Sequence, residues 1–445
     1  MLGNRRYTIT VSNLVIASFA KKSVVFAKRI ASPSPLLLTN EPVTIFASSL
    51  IISIFSKDFK TLIACVYCIF AFSGSPFSRY ISPKISSIFL KISRAEENFL
   101  KFVQVKRRKN RWRSRVKKLV GKEKVLTVSQ KNEVMEFYKD YAKTDMIFHE
   151  FYTKKTGKFF NNYIPDDMHY CKIDPFFNDW DAAHYLDNKC YYDNWYFKGI
   201  NMPKTLIKCI NGMWMIPTDK GLSFISKEKA YELISQQDCF VKQAKLSAGG
   251  HGVHKIKKGT SVDEINRIIN SLGTEIIVQE PIEQCEELCK LNHSSANTIR
   301  VLSFLNKDGS VKIYSAIVRM GINDAVVDNA SSGGITCGIE PDGRLKSVAY
   351  SASGTRYDKH PNTGLQFNEV VIPNYDKISS LVQKLHKDFP SFRLLSWDIA
   401  VDKNDNPLLV EVNLCYGELD FHQLNNGPVF GNDTKKILDE VFGKQ

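Results

Sequence analysis

The chain contains 445 residues and carries a formal net charge of +15, with 43% hydrophobic and 24% charged residues. This length exceeds the size at which one hydrophobic core stops growing, so we expect two or three domains. The ten cysteines are scattered and lack the paired spacing of zinc ligands, which excludes a zinc-ribbon protein and favours a reduced protein that faces the cytosol.

The positive charge is concentrated in one short segment. Twelve basic residues and only one acidic residue, Glu123, lie between Lys101 and Lys124. The rest of the chain is therefore only mildly basic. It also lacks a recurring alternation of basic and aromatic residues of the kind that stacks on bases, so we expect no specific nucleic-acid partner.

Residues 1–92 form an apolar, serine-rich N-terminal region. Its two apolar runs, 43–55 and 61–72, are each shorter than the roughly 18 to 20 residues that a helix needs to cross a bilayer. They are compatible with a re-entrant or interfacial hairpin, and the basic segment 93–126 would then contact an anionic membrane surface. A pair of ordinary core helices is the alternative. We therefore expect a cytoplasmic protein that can associate with the inner face of the cell membrane.

From residue 127 the sequence is typical of a globular protein. Thr127 and Gln130 have the spacing of a helix capping box, and apolar residues follow at helical intervals, so residues 127–186 are predicted to form a helical domain. A similar start at Ser261 precedes a helix that ends at Gly273. Two more amphipathic helices are predicted at about 376–388 and 433–442.

Strand-like runs lie between these helices. Turn signals such as Lys307-Asp-Gly309 and Asn404-Asp-Asn406 connect some of the runs directly, which predicts antiparallel hairpins. Helices mixed with hairpins indicate an α+β fold rather than a doubly wound parallel sheet. The runs are CFVKQ, EIIVQE, TIRVLSFL, VKIYSAIV, WDIAV and PLLVEV.

The hairpin SWDIAVDKNDNPLLVEVN carries a candidate metal site. If KNDN is its loop, Asp402 faces Pro407, and Asp398 then lies opposite Glu411. Asn413 follows on the same face of the hairpin. Two facing carboxylates repel each other unless a cation offsets their charge. Three oxygen donors without His or Cys suit Mg²⁺ at an ATP site, with Mn²⁺ as an alternative.

A surface hairpin with acidic side chains in solvent is the alternative for this segment. Against it, apolar residues alternate along both strands, which specifies the pairing register and directs the acidic side chains to the opposite face. These apolar residues are Trp397, Ile399 and Val401 on the first strand and Leu408, Val410 and Val412 on the second.

Upstream residues predict a phosphate site. Lys242 lies within a strand-like run, where a buried lysine needs an anion, and the following loop contains Gly249, Gly250 and Gly252. Such glycines allow backbone N–H groups to close over phosphates. A glycine hairpin beside an edge-strand lysine is the alternative. The next strand ends in residues 279–282, which have the form of a hinge whose backbone can pair with adenine.

The order of these elements resembles that of the ATP-grasp superfamily, and the chain is most similar to its sugar-transfer-associated, α-L-glutamate-ligase-related group. The resemblance covers residues 125–445 and does not extend to residues 1–90. It implies two α+β lobes that clasp ATP, an N-lobe at 187–282 and a C-lobe at 283–445. The motifs that carry it are YIPDD, IDPFFNDW, DNKCYYDNWYFKGINMPKTLI, NTIRVLSF, AIVRMG, VVDNASSGGI and SWDIAV…VEVN.

The resemblance implies roles for individual residues. Lys189 and Lys242 would contact the nucleotide phosphates. Arg300 and Arg319 would steady phosphate and acyl-phosphate groups, unless they are surface ion-pair residues, and Asn329 would lie near the γ-phosphate. The remaining matched residues are Gln279, Glu280 and the backbone of Ile282 for adenine, Glu286 for ribose, and Asp398, Glu411 and Asn413 for the metal.

The sequence departs from the family pattern at one position. Many ligases of the family carry an arginine two residues before the metal aspartate, where this chain has Ser396. Arg300 and Arg319 would then supply that arginine function, and the acceptor half of the site is left open. His360 has only loop context, so a structural histidine and a substrate contact are both open.

The mechanism implied by the resemblance is Mg-ATP-dependent carboxylate–amine ligation through an acyl-phosphate. The partners would be carboxylate and amine small molecules or sugars, in cell-surface polysaccharide assembly of a bacterium. Two alternatives remain open: a phosphotransferase that uses the same ATP half-site on a hydroxyl group, and a non-catalytic module that binds a nucleotide or a membrane.

Overall fold

The computed structural model describes residues 105–123, 125–245, 252–322 and 333–444. The predictions for residues 1–92, and the roles assigned to Gly249, Gly250 and Asn329, concern residues outside these ranges. No helix within the described ranges is both long and apolar enough to cross a membrane.

Helices form the first part of the described chain. They are α1 at 105–120, α2 at Val128–Tyr138, α3 at Ile147–Thr156 and α4 at Trp180–Leu186. The predicted capping box is confirmed, because the Thr127 side chain accepts a hydrogen bond from the Gln130 N–H and the Gln130 side chain accepts one from the Thr127 N–H. Short helical turns flank α4, at Asp166–Met168, His169–Ile173, Asp174–Phe177, Lys189–Tyr191 and Tyr192–Tyr196.

Helix α1 contains much of the basic segment and has two different faces. Val116 and Val120 are buried and pack into one core cluster with aromatic residues of α3. On the same side, Arg113 pairs with the buried Asp167 at 3.0 Å. Arg115 is exposed but also lies 3.9 Å from Asp420. The other exposed basic side chains of α1 are Lys106, Arg107, Arg111, Lys117 and Lys118. Part of the positive charge therefore holds α1 to the rest of the chain.

The first sheet has six antiparallel strands in the order β3-β2-β1-β6-β4-β5. Its strands are β1 at Thr205–Ile210, β2 at Met213–Thr218, β3 at Gly221–Ile225, β4 at Cys239–Gln243, β5 at Val253–Ile256 and β6 at Ile276–Gln279. Helices α5 at Lys227–Ser235 and α6 at Val262–Leu272 share one apolar core with this sheet. The Ser261 hydroxyl caps α6, as its sequence predicts.

The second sheet has seven antiparallel strands in the order β11-β10-β9-β8-β7-β12-β13. Its strands are β7 at Thr298–Leu305, β8 at Val311–Met320, β9 at Ile335–Ile339, β10 at Leu345–Ser351, β11 at Arg356–Tyr357, β12 at Leu394–Val401 and β13 at Pro407–Asn413. The associated helices are α7 at Tyr375–His386, α8 at Leu419–Asn426 and α9 at Thr434–Val441, with short turns at Glu286–Cys289, Phe367–Glu369 and Gly431–Asp433.

The core of the second sheet includes Trp397 of β12. Its side chain is fully buried, and its indole N–H donates to the hydroxyl of Ser303 on β7 at 2.9 Å. The same hydroxyl lies 2.7 Å from Nδ1 of His386 at the end of α7. These contacts join two central strands to the helix that covers them. They hold the strand that carries Asp398.

The hairpin of β12 and β13 confirms the predicted pairing at the candidate metal site. Asp398 pairs with Glu411 across the strands. At the turn the prediction is wrong by one residue, because Val401 rather than Asp402 pairs with Pro407.

A β-bulge at Val410 accounts for this difference. Ile399 pairs with Leu409 and Asp398 pairs with Glu411, so Val410 has no cross-strand partner. The extra residue also changes which side chains of β13 face the core. Leu409 packs into the core, whereas Val410, which the alternation had placed there, lines a cavity.

Candidate active site

A cavity of about 910 Å³ is lined by residues of both sheets. This volume is near the upper end of the roughly 300–1,000 Å³ that is usual for ligand pockets, so it can hold more than one ligand group. It brings together most of the predicted site. The predicted residues in its wall are Lys189, Lys242, Glu280, Ile282, Arg300, Arg319, Asp398, Glu411 and Asn413.

Three other predicted residues lie outside the wall of this cavity. Gln279 contacts it indirectly, because its side-chain oxygen accepts a hydrogen bond from Lys242 at 3.0 Å. Glu286 is exposed at the start of a short helix. Gly252 has a left-handed backbone (φ 82°), and a Cβ there would lie 3.2 Å from Leu272 Cδ2, so the turn itself requires glycine. The proposed roles of these residues in nucleotide binding stay predictions.

Asp398 is buried and surrounded by two arginines. Arg300 donates to both carboxylate oxygens, at 2.8 and 2.7 Å, and Arg319 donates to Oδ2 at 2.9 Å. Burial alone would raise the pKa of Asp398, but the two guanidinium charges outweigh it, so the pKa lies below its usual value. Neither arginine is a surface ion-pair residue, because each is only 5% exposed.

Glu411 lies beside Asp398 and pairs with Lys189. The distance from Lys189 Nζ to Glu411 Oε1 is 2.8 Å. Burial would lower the pKa of Lys189, but the charges of Glu411 and Asp187 outweigh this effect and raise it. The ammonium group is therefore charged at neutral pH. A predicted phosphate ligand and a predicted metal ligand thus meet directly in the wall of the cavity.

The donor set fits a hard divalent cation. Asp398, Glu411 and Asn413 offer two carboxylates and one amide at the end of a single hairpin. The Asn413 amide nitrogen donates to the carbonyl of Ser396 at 3.4 Å, which leaves its oxygen available to a cation. Oxygen-only ligands from few side chains are typical of Mg²⁺, which takes its other ligands from water and phosphate. This chemistry agrees with the predicted metal without distinguishing Mg²⁺ from Mn²⁺.

The predicted hinge borders the same cavity with apolar groups. Pro281 and Ile282 line it, together with Phe240 of β4 and the bulged Val410. The backbone N–H of Glu280 donates to the carbonyl of Lys204 at 2.9 Å. Apolar walls beside a strand end suit the flat ring of a base.

Sequence reasoning missed Glu418, which also lines the cavity. Its carboxylate pairs with Arg300, so this arginine joins it to Asp398. Glu418 and Tyr416 have left-handed backbones, at φ 51° and 60°, which is strained for residues other than glycine. Their position directly after Asn413 was the available signal, since residues that leave a strand end beside a site often enter it.

Ser396 explains the departure from the family pattern. This side chain is fully buried, and its hydroxyl donates to the carbonyl of Gly417 at 3.0 Å. A Cβ on Gly417 would lie 2.6 Å from Ser396 Oγ, so the two chain segments are in close contact. An arginine at 396 would not fit there. Arg300 on the adjacent strand β7 and Arg319 on β8, one strand further away, contact Asp398 instead.

The surroundings of His360 favour a structural histidine over a substrate contact. It is 1% exposed, and its Nε2 lies 3.3 Å from the carbonyl of Gly321. Burial lowers the pKa of its ring. It does not line the cavity.

Comparison with known proteins agrees with this geometry. A profile of the sugar-transfer associated ATP-grasp family matches residues 171–439, more than half of the chain. The chain belongs to this family. The ATP-grasp fold expected from the order of motifs is therefore confirmed. No curated protein matches the sequence of this ATP-grasp chain.

Several solved structures share a distant likeness with the ATP-grasp chain. The biotin carboxylase domain of 2-oxoglutarate carboxylase from Hydrogenobacter thermophilus is 13% identical, with a TM-score of 0.37, over 60% of this chain and 48% of that one. N5-carboxyaminoimidazole synthetase from Staphylococcus aureus is 11% identical (TM-score 0.32; 57% and 54%). D-alanyl-alanine synthetase A from Vibrio cholerae is 14% identical (TM-score 0.33; 58% and 65%). The ATP-grasp chain thus spans about half to two thirds of their lengths.

Proposed function

We propose that the chain is a Mg-ATP-dependent ligase that joins a carboxylate to an amine through an acyl-phosphate. One observation carries the proposal: three oxygen donors share a cavity wall with three buried cations. The donors are Asp398, Glu411 and Asn413, and the cations are Lys189, Arg300 and Arg319. Phosphoryl transfer depends mainly on positioning and charge stabilisation, and this combination of groups supplies both.

The first step activates the carboxylate. One of its oxygens attacks the γ-phosphorus of ATP, so that a new O–P bond forms while the bond from this phosphorus to the bridging oxygen breaks and ADP leaves. Lys189 and Lys242 hold the phosphates, and Arg300 and Arg319 offset the charge on the transferred group. A magnesium ion held by the hairpin donors would draw negative charge from the phosphate oxygens.

The second step forms the amide. The amine nitrogen attacks the acyl carbon, a C–N bond forms, and the C–O bond to phosphate breaks, so that inorganic phosphate leaves. The nitrogen must also lose a proton. We propose Glu418 as the acceptor of this proton, because its carboxylate lines the cavity beside Arg300 and is partly accessible, with 25% of its side chain exposed.

The description of the family supports the choice of substrates. Sugar transfer is named in that description, so we propose that a sugar or an amino acid supplies the carboxylate or the amine. Assembly of a cell-surface polysaccharide is the corresponding setting.

Hydroxylamine provides a direct test, because it converts acyl-phosphates into hydroxamates that are easily detected. The full chain is incubated with Mg-ATP, hydroxylamine and a panel of sugar acids and amino acids. A ligase yields ADP and hydroxamate in equal amounts for at least one acid. We expect Glu411→Gln to lower both by about 100-fold or more. Glu287→Gln is the control, since Glu287 lies outside the cavity wall and pairs with Lys290.

Two other results would contradict the ligase proposal. A phosphotransferase would release ADP without hydroxamate and would yield a phosphorylated hydroxyl compound. A non-catalytic module would bind Mg-ATP and release no ADP with any acid or alcohol in the panel.

We also propose that the outer face of α1 contacts an anionic membrane surface on the cytoplasmic side. The observation that favours it is the separation of its faces: Val116 and Val120 are buried, whereas five basic side chains besides Arg115 are exposed. Each basic residue near such a surface contributes about 1 kcal/mol. The full chain should sediment with vesicles that contain phosphatidylserine and not with pure phosphatidylcholine vesicles. Replacing the five basic residues with Gln should abolish sedimentation, and equal binding by this variant would refute the proposal.

A further inference from the structure

Four aromatic side chains form a connected group in the cavity wall: Trp112, Tyr170, Trp180 and Tyr416. Trp112 stacks on Tyr170 with 4.5 Å between ring centroids. Tyr416 lies 6.3 Å from Tyr170 and 4.7 Å from Trp180. The rings come from four separate segments, and Trp112 and Tyr170 precede the 171–439 region that matches the family.

Tyr416 is held in place at a cost in backbone strain. Its φ of 60° lies in the left-handed region, and its backbone N–H donates to Oδ2 of Asp174 at 2.9 Å. Asp174 is 1% exposed, so a buried carboxylate is committed to this contact. The residue nevertheless remains 43% exposed. A strained, anchored and accessible aromatic residue in a cavity wall is typical of a ligand contact.

Arg108 of α1 places a positive charge beside the rings of Trp180 and Tyr416. Its guanidinium carbon lies 4.7 Å from the ring centroid of Trp180 and 5.3 Å from that of Tyr416. Arg108 forms no ion pair with any residue in the described part of the chain. One nitrogen, Nη1, donates to the carbonyl of Tyr170 at 3.5 Å. A guanidinium stacked on a ring keeps its remaining N–H groups available for a carboxylate or phosphate. This cation can therefore receive an anion from a ligand.

We propose that Arg108, Trp180 and Tyr416 form a subsite that binds an acidic sugar. The sugar ring packs its C–H-rich face against Trp180 and Tyr416, and its anionic group binds Arg108. The inference rests on the proposed function in one respect: the bound sugar is the substrate, or part of it, on which the ligase acts.

Polar groups around the aromatic rings favour a sugar over an aromatic ligand. Glu418 and His184 also line the cavity, and each is accessible to some extent. They provide hydrogen-bond partners for hydroxyl groups, which an aromatic amino acid would leave unused. A second cation is disfavoured as the ligand, because the positive charge of Arg108 beside both rings would repel it.

Ligand binding can be measured on the full chain by saturation-transfer NMR. The four probes are D-glucuronate, D-glucose, L-glutamate and L-phenylalanine. They separate the contribution of the sugar ring from that of the carboxylate, and a sugar ring from an aromatic one. We expect D-glucuronate to bind most tightly. Its affinity should fall about tenfold or more in Trp180→Ala and in Arg108→Gln. D-Glucose binding should fall only in Trp180→Ala.

Trp195→Ala is the matched control, because Trp195 is 70% exposed, stacks on Tyr191 and lies outside the cavity wall. It should bind D-glucuronate as the natural chain does. Mg-ATP binding is measured on every variant to show that each one is folded. The proposal is refuted if D-glucuronate binds the natural chain, Trp180→Ala and Arg108→Gln equally, or if it does not bind. Tighter binding of L-phenylalanine than of D-glucuronate would refute the sugar assignment.

The result is separable from that of the hydroxylamine assay. Hydroxamate formed from other acids, without D-glucuronate binding, would refute the subsite and leave the ligase intact. Binding of D-glucuronate that depends on Arg108 and Trp180, without hydroxamate from any acid, would refute the ligase and leave the subsite intact.

Discussion

Replacement of Lys189 by Met tests whether this lysine binds ATP or only balances Glu411. Lys189 is 7% exposed, and its Nζ lies 2.8 Å from Glu411 Oε1. A hydrogen bond to a charged group contributes about 1.5–3 kcal/mol. If Lys189 contacts the phosphates, Lys189→Met should therefore weaken the binding of ATP by about 10- to 150-fold. The same change removes the partner of Glu411 and should lower stability by about 1–3 kcal/mol.

Calorimetric titration with ATP in the presence of EDTA separates the lysine from the metal. The affinity of Lys189→Met is compared with that of the natural chain, and the double variant Lys189→Met/Glu411→Gln with Glu411→Gln alone. The loss of ATP affinity should be similar in both comparisons. The stability lost in Lys189→Met should be recovered in the double variant. Lys229→Met is the control, because Lys229 is exposed, pairs with Glu232 and lies outside the cavity wall. Unchanged ATP affinity in Lys189→Met would show that the lysine only neutralises Glu411.

Three further predictions concern the framework of the site. Trp397→Ala should lower the free energy of unfolding by about 3–5 kcal/mol, because the side chain is fully buried. The control Trp195→Phe should change it by less than about 0.5 kcal/mol, because Trp195 is exposed. Denaturant midpoints measure both effects. Gly417→Ala should cost about 1–3 kcal/mol, since its Cβ would lie 2.6 Å from Ser396 Oγ, and Ser396→Ala in the same chain should restore most of the loss; no restoration would contradict the contact. Burial lowers the pKa of His149 to about 4, so the folded state favours the neutral ring, and stability present above about pH 6.5 is lost as the pH falls towards 4. Over this pH interval, the free energy of unfolding of His149→Gln should fall by up to about 3 kcal/mol less than that of the natural chain, as measured by denaturant titration. Identical pH profiles of the two chains would refute the assignment.

Local sequence patterns predicted those elements that are stabilised by contacts between residues close together in the chain. The capping residues Thr127 and Ser261 bond to backbone N–H groups within one turn of their own helices, so short-range spacing was sufficient. The same holds for the antiparallel hairpins, because turn residues and alternation specify which strands pair. The pairing of Asp398 with Glu411 was predicted from a turn that is wrong by one residue, and the bulge at Val410 compensates for this error.

The bulge at Val410 marks the limit of such reasoning. Alternation predicted Val410 for the core, but packing against the rest of the second sheet buries Leu409 and turns Val410 into the cavity. A single inserted residue changes the facing of a strand locally, and which position bulges depends on how the whole core fills.

The sequence by itself determined the α+β class, the order of the ATP-grasp elements and the residues of the candidate metal hairpin. Only the tertiary structure decided that Arg300 bridges Asp398 and Glu418, and that Arg108 of α1 lies against Trp180 and Tyr416. These contacts join residues far apart in the chain. Their partners are set by the packing of whole helices and sheets, which no local spacing encodes.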